Sequence, residues 1–182
     1  MLSKVVFIAG SVAIAWTSRA SLSHPRSHGF PRFFAFEAIL ALIVINATHW
    51  FTSPLATQQI VSWLLLALSI VLVVWGFALL RRSGKPASPS EKSPMFQWEN
   101  TEMLVTTGIY RYIRHPMYSS LLFLAWGALL KSVTPGTLTL TGIATLTLVV
   151  TAKVEEAEDL VRFGEEYRNY MLRTRLFVPF LL

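Results

Sequence analysis

Residues Ile60–Leu80 read IVSWLLLALSIVLVVWGFALL, 21 residues without a charge. A helix needs about 20 such residues to cross about 30 Å of hydrocarbon, so this stretch predicts a transmembrane helix. On its N-terminal side lies a second apolar segment, 33–51, with Glu37, Asn46 and His49 inside it. Residues 1–16 form a third, shorter one. Its Lys4 and the lack of a small-residue cleavage site favour a span over a removed signal peptide. On the C-terminal side, 116–152 is apolar but broken by Lys131-Ser-Val-Thr-Pro135-Gly136. Proline and glycine together punctuate a helix, which predicts two helices, 116–131 and 137–152, folded as a hairpin. Each is about 24 Å long, a marginal span, so the hairpin is expected to pack on the other helices. Gly127, Ala128, Gly142 and Ala144 would permit close approach.

Composition agrees with a membrane protein. Of the 182 residues, 53% are apolar and 14% charged, where soluble domains carry about 25% charge. That excludes a soluble monomer, and the hydrophobicity excludes disorder. With no cysteine, no disulfide framework, zinc–thiolate site or cysteine nucleophile exists, and no metal is expected. The net charge of +6 is read as loops held against an anionic leaflet rather than as a nucleic-acid surface.

The loops then set orientation. Residues 17–32, 81–115 and 153–182 hold all but two of the 16 basic residues, Lys4 and Lys131, while 52–59 carry no charge. The positive-inside rule therefore predicts five transmembrane helices, with the N-terminus outside and the C-terminus cytoplasmic. The expectation is an all-α, multi-pass integral membrane protein, one domain over 1–182 and a monomer. It has two long cytoplasmic segments, 81–115 and the tail 153–182, the latter read as an amphipathic helix followed by an apolar end. No Rossmann glycine pattern is present, so any cofactor pocket must come from those two segments together.

Three clusters can carry chemistry. Gly108-Ile-Tyr110-Arg-Tyr112-Ile-Arg114-His115-Pro116-Met-Tyr118 enters the fourth helix. Pro116 suits a first helical turn, which leaves His115 near the cap and backbone amides that favour an anionic group. An interfacial aromatic belt is the bland reading of the same residues. Glu155-Glu156-Ala-Glu158-Asp159 ends the fifth apolar run. Glu158 can pair with Arg162 at i,i+4, so Glu158 and Asp159 read as a solvated helix end. Glu155 and Glu156, at the edge of the apolar run, are functional candidates. The third cluster, Phe163-Gly164-Glu-Glu-Tyr167-Arg-Asn-Tyr170-Met-Leu-Arg173, reads equally as lipid-headgroup contact. Glu37, Asn46 and His49 can be read as the lining of a polar path.

Together these pieces resemble one family. LVTTGIYRYIRHPMYSS (104–120), Glu155-Glu156, FGEEYRNY (163–170) and the ending FVPFLL are similar in order and spacing to the isoprenylcysteine carboxyl methyltransferases and their prokaryotic relatives. The resemblance implies S-adenosyl-L-methionine as methyl donor, held without a Rossmann domain. By motif, its contacts fall on Glu102, Met103, Leu104, Val105, Tyr110, His115, Pro116, Met117, Tyr118 and Glu155, with Gln97 added. It also implies a lipid-tailed or prenylated partner whose carboxylate is O-methylated. The family's substrate arginine falls on Thr151 here, so Lys153 or Arg173 would have to supply the cation, Arg173 preferred for its two-pronged grip. Ser119-Ser120 stand where the family often has glycine.

The chemistry fits such a site. A carboxylate is already ionised at pH 7 and needs only alignment, loss of water and a cation. An amine nucleophile, as in a phospholipid headgroup, would need a base, with Glu156 or His115 as candidates. A membrane binding or transport protein built around Glu37, Asn46 and His49 is the reading from another class.

Overall fold

The structure, a computed structural model, describes residues 1–84 and 103–179. These form seven helices: α1 (Leu2–Thr17), α2 (Arg19–Leu22), α3 (Gly29–Ile45), α4 (Thr57–Ser83), α5 (Pro116–Leu129), α6 (Pro135–Phe163) and α7 (Glu165–Arg173), with single 3₁₀ turns at Ala47–His49 and Gly108–Arg111. Among the described residues there is no strand, only one isolated parallel bridge between Ile113 and Arg175. Two helices, α4 and α6, are long and apolar enough to cross a membrane; α1 and α5 are shorter apolar helices.

The core pairs α4 with α5 and α3 with α6, and α1 lies outside against α3. The buried side of α4 is Gln59, Ser62, Leu66, Ser69, Leu72 and Gly76, a spacing of three and four residues that lays a stripe of mostly small side chains along α5. A Cβ on Gly127 would stand 2.9 Å from Leu66, and one on Gly76 3.3 Å from Pro116, so these glycines set the approach of α5 to α4. Ala128 and Ala144 are fully buried between α3, α5 and α6. Gly142 meets nothing within 4 Å and plays no packing part.

Several boundaries differ from the sequence reading. The second segment is a helix over Gly29–Ile45 rather than 33–51. It starts earlier because Pro31 is tolerated in a first turn, and it stops at Asn46, whose amide is drawn away to α5. Pro135 and Gly136 are not the turn between α5 and α6 but the first turn of α6: Pro135 occupies N1 and Thr134 forms a capping box with Thr137. The last long helix does not end at 152. Nothing in 153–163 breaks it, and it runs to Gly164, which adopts φ +59, so the acidic cluster sits on the continuation of α6 beyond its apolar run, which ends at Ala152. The expected tail helix is the separate α7.

At 14 residues, α5 spans only about 21 Å, and the carbonyls at and just beyond its end have no helical partner. Buried orphan carbonyls are costly, and side chains collect them. Ser62 Oγ donates to Gly127 O (2.6 Å), Asn46 Nδ2 to Ala128 O (2.7 Å), Gln58 Nε2 to Leu130 O (2.7 Å) and Gln59 Nε2 to Lys131 O (3.1 Å). Lys131 is buried beneath, 3.4 Å from the Trp63 ring centroid and 3.2 Å from Gln59 Oε1. Asn46 is therefore a helix cap. Glu37 accepts from Ser11 of α1 at 2.7 Å, and His49 is exposed beside Thr48. The three polar residues of the second segment each have their own partner and do not line one path.

Candidate active site

At the charged end of the bundle, residues 103–118 are threaded between α4, α6 and α7. Gly108 makes the first bend. Its φ is +59, which favours glycine, and a Cβ there would stand 2.5 Å from Leu79 Cδ1, so that side chain would have to shift. Tyr110 is buried behind it, and its carbonyl accepts from the Tyr170 hydroxyl at 2.6 Å. The chain after α7 then runs alongside: Arg175 N–H donates to Tyr112 O (3.0 Å), Arg114 N–H to Arg175 O (2.8 Å) and His115 N–H to Leu176 O (3.2 Å). Ser119 Oγ donates to Phe177 O at 2.7 Å, a tie that glycine could not make.

Arg114 fastens this arrangement. Its Nε donates to Glu156 Oε1 at 2.6 Å, and its Nη1 donates to the carbonyl of Thr174 at 2.6 Å and of Met171 at 3.3 Å. Lys153 Nζ takes the other Glu156 oxygen at 2.8 Å. One guanidinium thus joins the motif, α6 and the end of α7, and both oxygens of Glu156 are committed.

His115 occupies the N-cap of α5, only 6% exposed, with its ring stacked on Tyr118 at 5.4 Å. Its Nδ1 lies 3.6 Å from Glu155 Oε2, and its buried Nε2 has no hydrogen-bond partner among the described residues. Burial first, and then the charges of Arg114, His28 and Lys153, depress its pKa to about 3. The imidazole is neutral at physiological pH. A cleft opens in front of it, walled by Leu104, Val105 and Tyr110, by the first turn of α5 (Pro116, Met117, Tyr118), by Glu155 and Asp159 of α6, and by Tyr167 and Tyr170 of α7.

A family model described as phospholipid methyltransferase matches residues 57–163, from the first residue of α4 to the last of α6. The chain belongs to the phospholipid methyltransferase family. Among curated relatives, a methanethiol S-methyltransferase 1 of Bradyrhizobium diazoefficiens is 30% identical over 96 residues, which are 53% of this chain and 29% of that protein. A methanethiol S-methyltransferase of Pseudomonas deceptionensis is 28% identical over 100 residues, 55% of this chain and 32% of that protein. The chain thus spans less than a third of the length of these relatives. Both descriptions fall in the isoprenylcysteine-methyltransferase-like superfamily of membrane methyltransferases, the group the sequence motifs resemble. No solved structure matches the chain.

Within this phospholipid methyltransferase fold, the cofactor candidates Leu104, Val105, Tyr110, His115, Pro116, Met117, Tyr118 and Glu155 are brought to one cleft. Met103 is half exposed and is not among the residues that wall the cleft, and Glu102 and Gln97 lie outside the described residues. The three catalytic candidates are not gathered there. Glu156 is locked between Arg114 and Lys153. Lys153 is exposed, with its ammonium on Glu156. Arg173 lies beyond the Leu104–Tyr170 wall, in a separate groove with Arg111 and Glu166. The reason is helical phase: α7 turns Tyr167, Tyr170 and the adjoining Thr174 inward, and Arg173 falls on the exposed side.

The acidic cluster also divides differently from the sequence reading. Glu158 is not simply a solvated helix end. Its carboxylate accepts from His28 Nδ1 at 2.6 Å and from the His28 backbone N–H at 3.0 Å. Burial would raise its pKa, but the His28 bonds outweigh that and lower it. Asp159 faces the cleft instead of water. Its sequence signal was the i,i+4 spacing from Glu155, which puts both on one side of α6. Arg114 and Tyr170 were visible only as parts of motifs.

Proposed function

We propose that the protein is a membrane-embedded methyltransferase that binds S-adenosylmethionine in this cleft and methylates a small thiol. The observation that carries the cofactor reading is the convergence of residues 104–105, 110, 115–118 and 155 on one opening, whose wall includes His115 with a buried Nε2 that has no hydrogen-bond partner among the described residues. Those groups fit the cofactor. Glu155 would take its ammonium, the first-turn amides of α5 its carboxylate, and Tyr118 and Tyr110 offer ring faces. When bound, the cofactor supplies a sulfonium methyl for in-line displacement. The chain's part is to align the nucleophile and exclude water. In this reading α1, α3, α4, α5 and α6 are the five membrane segments, the N-terminus is outside, and the cleft opens to the cytoplasm.

Two features favour a thiol. The curated relatives are named for methanethiol, and the cations at the cleft are engaged. Arg114 holds Glu156 and the tail carbonyls, and Arg162 lies over Phe163 at 5.2 Å. Thr151, at the position of the family's substrate arginine, is fully buried with its hydroxyl donated to Thr147 O at 2.7 Å. A carboxylate would find no uncommitted cation among these residues. An amine would need a base, and Glu156 is committed while His115 is a very weak one. A thiol needs no cation, and its thiolate is so strong a nucleophile that a small ionised fraction suffices.

The carboxylate of a prenylated cysteine is the second reading, favoured by the tail motifs, and it requires Arg173 or Lys153 to move to the cleft. Methyl transfer from labelled S-adenosylmethionine to methanethiol, prenylcysteine and phosphatidylethanolamine, in one vesicle preparation, separates the cases. Transfer to methanethiol alone is expected. Transfer to prenylcysteine that is lost in Arg173→Ala would replace the thiol by the carboxylate.

A further inference from the structure

The four acids of α6 beyond Ala152 have distinct fates. Glu156 is held by Arg114 and Lys153, and Glu158 by His28. Glu155 and Asp159, one turn apart, both face the cleft. The buried His115 lines the same cleft; its Nδ1 lies 3.6 Å from Glu155 Oε2, and its Nε2, 4.0 Å from Glu156 Oε1, has no hydrogen-bond partner among the described residues, an independent sign that this wall is shaped for a ligand. We propose that Asp159 is a second cation-binding carboxylate of this cleft, acting beside Glu155 on the positively charged part of the bound cofactor, and this rests on the cofactor reading above.

The surroundings of Asp159 make the assignment testable. On its own helix it meets Glu155 and Arg162; the segment between α2 and α3 brings His28, and α7 brings Tyr167 and Tyr170. Burial, and then the like charge of Glu155, push its carboxyl up to about 7 despite His28, Arg162 and Tyr167. Near neutral pH Asp159 of the ligand-free site is therefore about half protonated. A cation arriving between two carboxylates favours the ionised form of both, and the proton leaves to the buffer. Cofactor binding and proton release are then one event.

The full chain in detergent or nanodiscs is titrated with S-adenosylhomocysteine by calorimetry, in buffers of different ionisation enthalpy. For a carboxyl titrating near 7, about three quarters of a proton should be released per ligand at pH 6.5 and almost none at pH 8.5. Affinity should fall about tenfold from pH 8 to pH 6. Asp159→Asn should bind more weakly, with no release and little pH dependence; ionisation of the ligand itself is common to both proteins and cancels. Binding without proton release in the wild type, or release that persists in Asp159→Asn, overturns the role of Asp159 and leaves the cofactor reading intact. Absence of binding at every pH overturns both.

Discussion

Arg114 Nε stands 2.6 Å from Glu156 Oε1, and the two side chains are 9% and 4% exposed. Removing one partner of such a buried pair leaves an uncompensated charge and costs about 3–5 kcal/mol. Arg114→Met should therefore lower the thermal midpoint sharply and abolish ligand binding, because the loop 108–115 and the end of α7 lose their shared anchor. Arg114→Lys should rescue poorly, since one ammonium cannot reach both Glu156 and the Thr174 carbonyl. Thermal unfolding in detergent measures both; a near wild-type midpoint in Arg114→Met would show that the pair carries no structural weight.

Gly108 and Gly164 share φ +59 but differ in surroundings. Gly164→Ala meets open space and should cost only backbone strain, of order 1–3 kcal/mol. Gly108→Ala adds a collision with Leu79. The double change Gly108→Ala with Leu79→Ala should recover ligand affinity relative to Gly108→Ala, while the same Leu79→Ala should do nothing for Gly164→Ala. Equal responses would mean that the contact with α4 is irrelevant.

Asn46→Leu removes the donor to Ala128 O, and an unpaired buried carbonyl costs about 1–3 kcal/mol. The expected result is a lower unfolding temperature with unchanged methyl transfer per folded molecule, since α5 is weakened at the end remote from the cleft. A loss of turnover at full stability would instead connect this end to the reaction.

Glu155→Gln should weaken S-adenosylhomocysteine binding roughly tenfold or more, the value of a charged hydrogen bond, with little change in stability. Glu158→Gln should do the reverse, because its carboxylate ties His28 to α6. Calorimetry and thermal unfolding on the same preparations separate the two, and identical profiles would dissolve the distinction between the two acids.

His115 gives the fold an acid sensitivity of known sign. Its folded pKa, about 3, lies below the ordinary histidine value of 6.5. The unfolded chain therefore binds more protons as pH falls from 6.5 toward 3, and stability falls with it, by up to about 1.4 kcal/mol per pH unit. His115→Gln should show a shallower loss of stability between pH 6.5 and 5, read as the shift in thermal midpoint. Parallel curves for the two proteins would remove His115 as the cause.

Much of this protein is local information. The uncharged run 60–80, the interruption between the apolar runs on either side of Lys131–Thr134 and the small residues Gly127, Ala128 and Ala144 are properties of single segments, and they determined which stretches form apolar helices and where they can approach closely. The motif 108–118 likewise announced a cap and a helix start, since a proline at N1 depends only on its neighbours. The partnerships were decided by the tertiary structure. His28 meets Glu158 across 130 residues of chain, and that one contact changes Glu158 from a solvated acid into a structural one and leaves Asp159 beside Glu155 in the cleft. Asp159 lines the cleft while Arg173 lies in the neighbouring groove with Arg111 and Glu166, positions that no single segment reveals. Periodicity tells which side chains share a helix face, but not which other helix that face will meet, and a charge takes its role from the partner it finds there.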